Sequence, residues 1–229
     1  MIEMVGVATG KVDGSQLVSC SLDCQAAEIH AVVGAAGSGK SLISEVVVGR
    51  RRPIRGVTKV MDLDSVSNAV AVRGLLTHVP VHGTLDGKLS MRQQLAWWLS
   101  LLEITPTPVD LRRALRESEI PDRLFDESAA TVPSEFRILL WVALAQLRNQ
   151  RILVIDDPVR TTSSAGSRHL IRVFQDLARS GWCLLLTTRD TRFAETVASS
   201  LTVLENGRTQ LIRKSIPSAI NTFGRSELL

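Results

Sequence analysis

Apolar and polar residues alternate with a period of two through the first third of the chain, then shift to helical spacing in the middle. Ile2–Val7, Gln16–Cys24 and Glu28–Val33 read as strands separated by Gly10, by Asp13-Gly14 and by a short polar turn. In the second of these, Cys20, Leu22 and Cys24 alternate with Ser21 and Asp23, so both thiols belong to the inward face. Leu42–Val48 follows with apolar residues at 42, 43, 46 and 47, the spacing of a helix that Gly49 ends. Val57–Met61 and Ala69–Ala71 read as edge strands, and Leu75–Pro80 as a core strand.

From Ser90 to Gln150 the pattern is helical. Ser90 caps a helix whose stripe is Leu95, Trp98, Leu99 and Leu102, and Thr105-Pro106-Thr107-Pro108 stops it. Asp110–Glu117 is a short polar helix, and Pro121–Phe125 a further turn. Ser134 is the expected cap of a long helix with Phe136, Leu139, Leu140, Ala143, Leu144 and Leu147 on one face. Strand and helix then alternate again: Arg151–Pro158 as a buried strand ending in two acids, Arg168–Arg179 as a helix, Trp182–Thr187 as a buried strand and Thr191–Ser199 as a helix. Leu201–Glu205 and Arg208–Ile212 flank Asn206-Gly207 as a hairpin, and Arg213–Leu229 is a polar tail. This order predicts an α/β fold with a parallel core sheet, an antiparallel β-rich beginning and an inserted helical block.

The chemistry enters between the third strand and the first helix. Gly34-Ala35-Ala36-Gly37-Ser38-Gly39-Lys40-Ser41 is a full match to the phosphate-binding loop G-x-x-x-x-G-K-[ST]. Its glycines let successive N–H groups turn inward, Lys40 neutralises phosphate oxygens, and the Ser41 hydroxyl holds Mg²⁺. Such a loop needs a carboxylate for the metal. Asp156, at the C-terminal tip of a buried strand, is placed to supply it, and Asp157 beside it is placed to reach a water attacking the γ-phosphate. The expected ligand is therefore Mg-ATP. A plain turn-capping role for the two acids is the competing reading.

Composition bounds this picture. With 229 residues, 45% hydrophobic and 22% charged, the chain can bury one large core or two small ones. No apolar run reaches the roughly 18 residues that span a bilayer, and Met1-Ile2-Glu3-Met4 is not a signal start, which predicts a cytoplasmic protein. The net charge of +4 is scattered apart from Arg50-Arg51-Arg52-Pro53-Ile54-Arg55. That cluster reads as a solvated turn before a lipid or nucleic-acid contact. With no Tyr and few aromatic residues, a base-stacking platform is poorly supplied, so no nucleic-acid partner is expected. Cys20 and Cys24 lack a second Cys or His pair to complete a zinc site.

The layout resembles the nucleotide-binding domain of ATP-binding cassette (ABC) transporters, a P-loop NTPase fold, over nearly the whole chain. The turn Gly49–Val57 after the first helix, the helical insertion, the strand ending in Asp156-Asp157-Pro158 and the closing Leu204-Glu205-Asn206-Gly207-Arg208 carry the resemblance. It implies a single ATP-binding domain. Residues 1–87 and 151–212 would form the nucleotide core with its antiparallel β subdomain, 88–150 the helical subdomain and 213–229 a C-terminal tail. It also implies a homodimer or heterodimer with another such subunit, a transmembrane permease partner and a place on the inner face of the cell membrane.

Several positions depart from the family's pattern. The signature Leu-Ser-Gly-Gly-Gln falls at Val132-Pro133-Ser134-Glu135-Phe136, without its glycines and with a negative charge at Glu135. Asp157 stands for a glutamate, one methylene shorter. The switch histidine aligns with Arg189, which would either reach the γ-phosphate or be a surface arginine. The glutamine after Leu75–Pro80 aligns with Val81 or His82, no aromatic residue stands near Ala8–Lys11 to stack on adenine, and Val159–Ser163 lacks the usual Ser-Ala-Leu-Asp. Trp97 lies off the helical stripe, where the family's helical block approaches its membrane partner. Together these substitutions predict retained nucleotide binding and weakened, partner-dependent hydrolysis. A non-transport regulatory or scaffold module is the alternative; a cassette ATPase acting on nucleic acid ranks lower, because no heptads are present.

Overall fold

Strands β3 (Ile29–Val33), β7 (Ile152–Asp156) and β8 (Cys183–Thr188) are buried at every position, as strands covered on both faces must be. They sit at the centre of a computed structural model that describes residues 1–10, 17–81 and 85–213, the last three through their backbone. The remaining strands and α-helices are β1 (Ile2–Gly10), β2 (Leu17–Cys24), α1 (Lys40–Val47), β4 (Arg55–Val60), β5 (Leu63–Asp64), α2 (Ala69–Leu75), β6 (Leu76–Val79), α3 (Met91–Ser100), α4 (Pro108–Glu117), α5 (Ser134–Leu147), α6 (Ser164–Arg179), α7 (Thr191–Val197), β9 (Ser200–Glu205) and β10 (Arg208–Arg213), with a 3-10 turn at Asp122–Leu124 between α4 and α5. The described strands form one sheet in the order β5-β4-β1-β2-β10-β9-β3-β8-β7-β6.

The sheet has two halves. Strands β9, β3, β8, β7 and β6 run parallel, joined by helical crossovers. On the other side β1 pairs antiparallel with β2 and β4, as the alternating pattern predicts. The hairpin β9–β10 joins the halves, antiparallel within itself and parallel to β2 at Arg208 and Ser19. The fold is therefore the expected α/β P-loop architecture, with the antiparallel strands continuous with the parallel sheet.

Period-two alternation sorts the central strands between two cores. Ala31, Val33, Leu153, Ile155, Leu184 and Leu186 face a cluster shared with α3 to α7. Val32, Ile152, Val154, Cys183 and Leu185 face a second cluster with α1, β1 and β2. The helices inserted between β6 and β7 pack directly onto the first, and Trp98 of α3 meets Trp141 of α5 with ring centroids 4.2 Å apart. Cys20 and Cys24 point into the second cluster as expected. Cys24 meets Cys183 thiol to thiol at 3.3 Å, and all three cysteines are free and buried.

Five local expectations are corrected. Ala69–Ala71 belongs to helix α2, not to an edge strand. Asp64 Oδ1 accepts hydrogen bonds from the Val66 and Ser67 N–H groups, turning the chain into a helix that buries only Val72 and leaves Val70 79% exposed. A four-residue alternation of Ala and Val is too short to separate the two periods. Leu102 lies past the end of α3 and is 44% exposed, so it leaves the stripe of Leu95 and Leu99. Thr107 and Pro108 open α4 rather than merely stopping α3: Thr107 caps the Asp110 N–H, and Asp110 caps Thr107 in return. Pro133, not Ser134, is the N-cap of α5; Ser134 Oγ instead lies 3.0 Å from the Thr161 carbonyl and 3.2 Å from Thr162 Oγ1. Helix α6 also begins earlier than Arg168, at Ser164, because Ser163 Oγ accepts from the Gly166 N–H.

Candidate functional site

The loop Gly34–Gly39 connects the buried end of β3 to the first turn of α1, at the edge of the sheet where the parallel strands point their C-termini. Gly39 precedes α1 with φ 103°, a left-handed conformation that a side chain rarely adopts. Gly34 needs its missing side chain for a different reason: a Cβ there would lie 2.6 Å from the Leu204 carbonyl oxygen. Its N–H donates to Thr188 O at 3.3 Å, so the loop is tied to the end of β8.

Lys40 is buried and folded back along the loop. Its Nζ donates to the Gly34 and Ala35 carbonyls at 2.8 and 2.7 Å and lies 3.3 Å from Ser38 Oγ. Burial lowers its pKa from the ordinary lysine value, Asp157 and Asp156 oppose that shift, and Arg189 adds to it. Ser41 is an exposed residue on the first turn of α1. An open groove of about 800 Å³ adjoins the loop, lined by Gly34–Ser38, Arg189, Thr191 and the turn at Leu204–Gly207.

Asp156 closes β7 and is buried, with its carboxylate held by three side chains. Oδ1 accepts from Ser44 Oγ at 2.6 Å and from Thr187 Oγ1 at 2.8 Å, while Oδ2 lies 3.1 Å from His78 Nε2. His78 Nδ1 in turn lies 3.1 Å from an Arg50 guanidinium nitrogen. None of these partners stands out in the sequence as a site residue. The signal was a polar side chain inside an apolar strand or helix, as in Leu76-Thr77-His78-Val79 and Leu186-Thr187-Thr188.

Asp157 is held differently. It adopts φ 47°, a left-handed conformation that Asp tolerates better than most residues, and its N–H donates to Thr187 O at 2.7 Å. Arg189 Nε donates to Asp157 Oδ2 at 3.1 Å, and Thr188 Oγ1 donates to Oδ1 at 3.3 Å. Arg189, half exposed, is thus directed at the neighbouring carboxylate. A second cavity, about 330 Å³, opens beside the acids and is lined by Val79–Val81, Arg137, Trp141 and Arg160 among others. Val81 reaches this edge, whereas His82 and Lys11 lie outside the described residues.

The segment Val132–Phe136 enters α5 against the chain that follows Asp157. Ser134 bonds the Thr161–Thr162 stretch, Thr162 Oγ1 donates to Pro158 O at 3.0 Å, and Glu135 lies over Gly166, where a Cβ would come within 2.6 Å of its carboxyl carbon. Glu135 therefore packs on the first turn of α6 within its own chain. On the helical block, Trp97 is 47% exposed beside the exposed Leu101 and Leu102.

The family model described as ABC transporter matches residues 17–160. Among curated proteins, the chain is 30% identical over 215 residues to the Nod factor export ATP-binding protein I of Rhizobium meliloti, covering 90% of this chain and 62% of that one. It is 23% identical over 189 residues to ABC transporter A family member 1 of Dictyostelium discoideum, covering 82% of this chain and 21% of that one. The chain thus spans less than two thirds of the length of these relatives. Among solved structures, a dimeric ATP-binding cassette in a post-hydrolysis state with ADP and Pi superimposes with TM-score 0.78 at 15% identity, covering 93% of this chain and 98% of that one. A component of the transporter complex cbiONQ from Clostridium perfringens gives TM-score 0.79 at 16% identity, covering 92% and 86%. At these identities the structures show a shared fold.

Proposed function

Because this chain belongs to the ABC transporter family, we propose that it is the ATP-binding component of an ABC-type membrane transport system, one that holds Mg-ATP and hydrolyses it slowly or only with a partner. The observation that carries this reading is the contrast between an intact phosphate loop and a neutralised acid beside it. Gly34–Ser41 keeps every residue type the loop needs, with Lys40 already lying along it. Asp157, which this reading takes as the candidate base, is engaged by Arg189 and Thr188.

The residues fit the nucleotide and its metal. Backbone N–H groups of Gly37, Ser38, Gly39 and Lys40 and the Lys40 ammonium would hold the β- and γ-phosphates. Ser41 and Asp156 would hold Mg²⁺, Asp156 through water; the bound ion supplies charge neutralisation at the phosphate oxygens. The groove between the loop and Leu204–Gly207 is the space for sugar and base. A base must reach the attacking water with its proton-accepting oxygen free. Asp157 is one methylene short of the glutamate in related cassettes, and one oxygen is already taken by a guanidinium, so hydrolysis is expected to be slow.

Dimeric relatives and a transporter-complex component with this fold support pairing with a second cassette and with a permease, on the inner face of the membrane. The exposed Trp97, Leu101 and Leu102 are the apolar surface for such a partner. Among the described residues no helix is long and apolar enough to cross a membrane. A second reading, a nucleotide-held regulatory module, is favoured by the same Asp157–Arg189 pair; copurification with a soluble partner instead of a polytopic one would select it. The nucleotide reading is tested by equilibrium binding of ATP to the wild type and to Lys40→Ala. Loss of binding in the variant is expected, and unchanged affinity would refute it.

A further inference from the structure

The proposed metal ligand Asp156 has a chain of partners that the phosphate-loop motif does not call for. His78, on β6, lies next to β7 in parallel register, with His78 opposite Val154 and Val79 opposite Ile155. Its imidazole is almost fully buried against Asp156, Nε2 to Oδ2 3.1 Å, and its other nitrogen lies 3.1 Å from Arg50. A guanidinium can only donate, so Nδ1 must be the acceptor of that bond and carry no proton. A neutral imidazole has one N–H, which therefore sits on Nε2 and donates to the carboxylate. Arg50, at the end of the first helix, thus sets the tautomer of a histidine on a strand, and that histidine aims a hydrogen bond at the acid.

Asp156 then receives three donors: Ser44 and Thr187 on Oδ1 and His78 on Oδ2. An ionised carboxylate offers about four acceptor positions. Three are filled, and rotation about the Cβ–Cγ bond would break all three, so a single acceptor direction remains on Oδ2 for a metal-bound water. We propose that His78, in its Nε2–H form fixed by Arg50, is a positioning residue that orients Asp156 for Mg²⁺ bound with nucleotide. This rests on the reading of Asp156 as the metal carboxylate. It differs from that reading in assigning the orientation to a side chain outside both nucleotide motifs.

Two measurements test it. The first is nucleotide affinity with Mg²⁺ and with EDTA, for wild type, His78→Leu and His78→Gln. Leu keeps the bulk and removes the donor, whereas the Gln amide can place an N–H near the position of Nε2. Loss of such a partner behind a metal ligand weakens metal binding ~10- to 100-fold. His78→Leu should therefore lose ~10-fold or more of the Mg²⁺-dependent gain in affinity while its affinity in EDTA stays that of wild type, and His78→Gln should recover most of the gain. Equal affinity losses with and without Mg²⁺, or an undiminished Mg²⁺ gain in His78→Leu, would overturn the inference while leaving Asp156 as the ligand. No Mg²⁺ gain in the wild type would overturn the metal assignment and the inference with it. The second is ¹⁵N NMR of the imidazoles in wild type and Arg50→Ala; Arg50 is exposed, so this variant keeps the core intact. A protonated Nε2 and bare Nδ1 in the wild type, with the opposite tautomer gaining population in Arg50→Ala, is expected. A protonated Nδ1 in the wild type would contradict it.

Discussion

The two acids at the end of β7 are neighbours in sequence and opposites in circumstance. Asp156 is buried, and its two oxygens are held by Ser44, Thr187 and His78. Asp157 sits in a left-handed turn with a guanidinium on one oxygen, its charge met within the chain. On the proposed reading, a carboxylate oriented for a metal and an ion-paired one beside it would suit a site that binds nucleotide and turns it over slowly. The same division extends outward. The phosphate loop is complete, while the segment that would face an opposite subunit's phosphates, Val132–Phe136, is tied to its own chain through Ser134 and Glu135.

The comparison breaks most readily at Lys40. On the proposed reading Lys40→Ala would remove a charged donor from the bound phosphates, and at ~3 kcal/mol for such contacts should weaken ATP binding by roughly 10²-fold, measured by fluorescence titration. Retained affinity would mean that the loop is not the binding half. The next largest effect should come from undoing the other half. Asp157→Glu combined with Arg189→His restores the missing methylene and removes the guanidinium. A misplacement of about 1 Å is worth ~10²-fold in rate, so phosphate release should rise between ~10- and 10²-fold. No rise would show that the slow step lies elsewhere, for instance in the altered Val132–Phe136 segment.

Gly34→Ala sharpens the comparison from the structural side. Its Cβ would meet the Leu204 carbonyl at 2.6 Å, so either the loop or the β9–β10 turn must shift. Overpacking of this kind costs about 1–3 kcal/mol, read as a lower denaturant midpoint together with weaker nucleotide binding. The smallest effect is expected at Trp97→Ala. An exposed side chain away from caps and core changes stability within about 0.5 kcal/mol, so its loss should leave melting and ATP affinity unaltered and weaken only association with a membrane partner, seen in a pull-down.

Elements with long, unambiguous periods were legible from the residues alone. The buried strands at Ile29, Ile152 and Cys183, the helices at Met91 and Ser134 and the hairpin around Asn206-Gly207 lie where their patterns put them. Misreadings fell where a local hydrogen bond outweighs periodicity. Asp64 starts a helix at Ala69 that the Ala-Val alternation disguises, and Ser134 bonds a distant loop instead of capping its own helix. In the site, the phosphate loop and the acid pair are contiguous in sequence and so were visible. The Arg50–His78–Asp156 chain joins β6, β7 and the turn after α1, distant in sequence, and the pairing of β6 with β7 sets His78 beside Asp156. Arg189 was visible only as a cation near the site; its contact with Asp157 depends on where the end of β8 lies beside the end of β7.

The central claim is that this cassette holds ATP rather than consuming it. The most direct measurement incubates purified protein with Mg²⁺ and radiolabelled ATP, then follows bound nucleotide and released phosphate in the same sample. The account predicts near-stoichiometric nucleotide that is recovered as ATP over many minutes, with phosphate release little altered by Asp157→Asn. Rapid steady-state phosphate release that Asp157→Asn abolishes would contradict it.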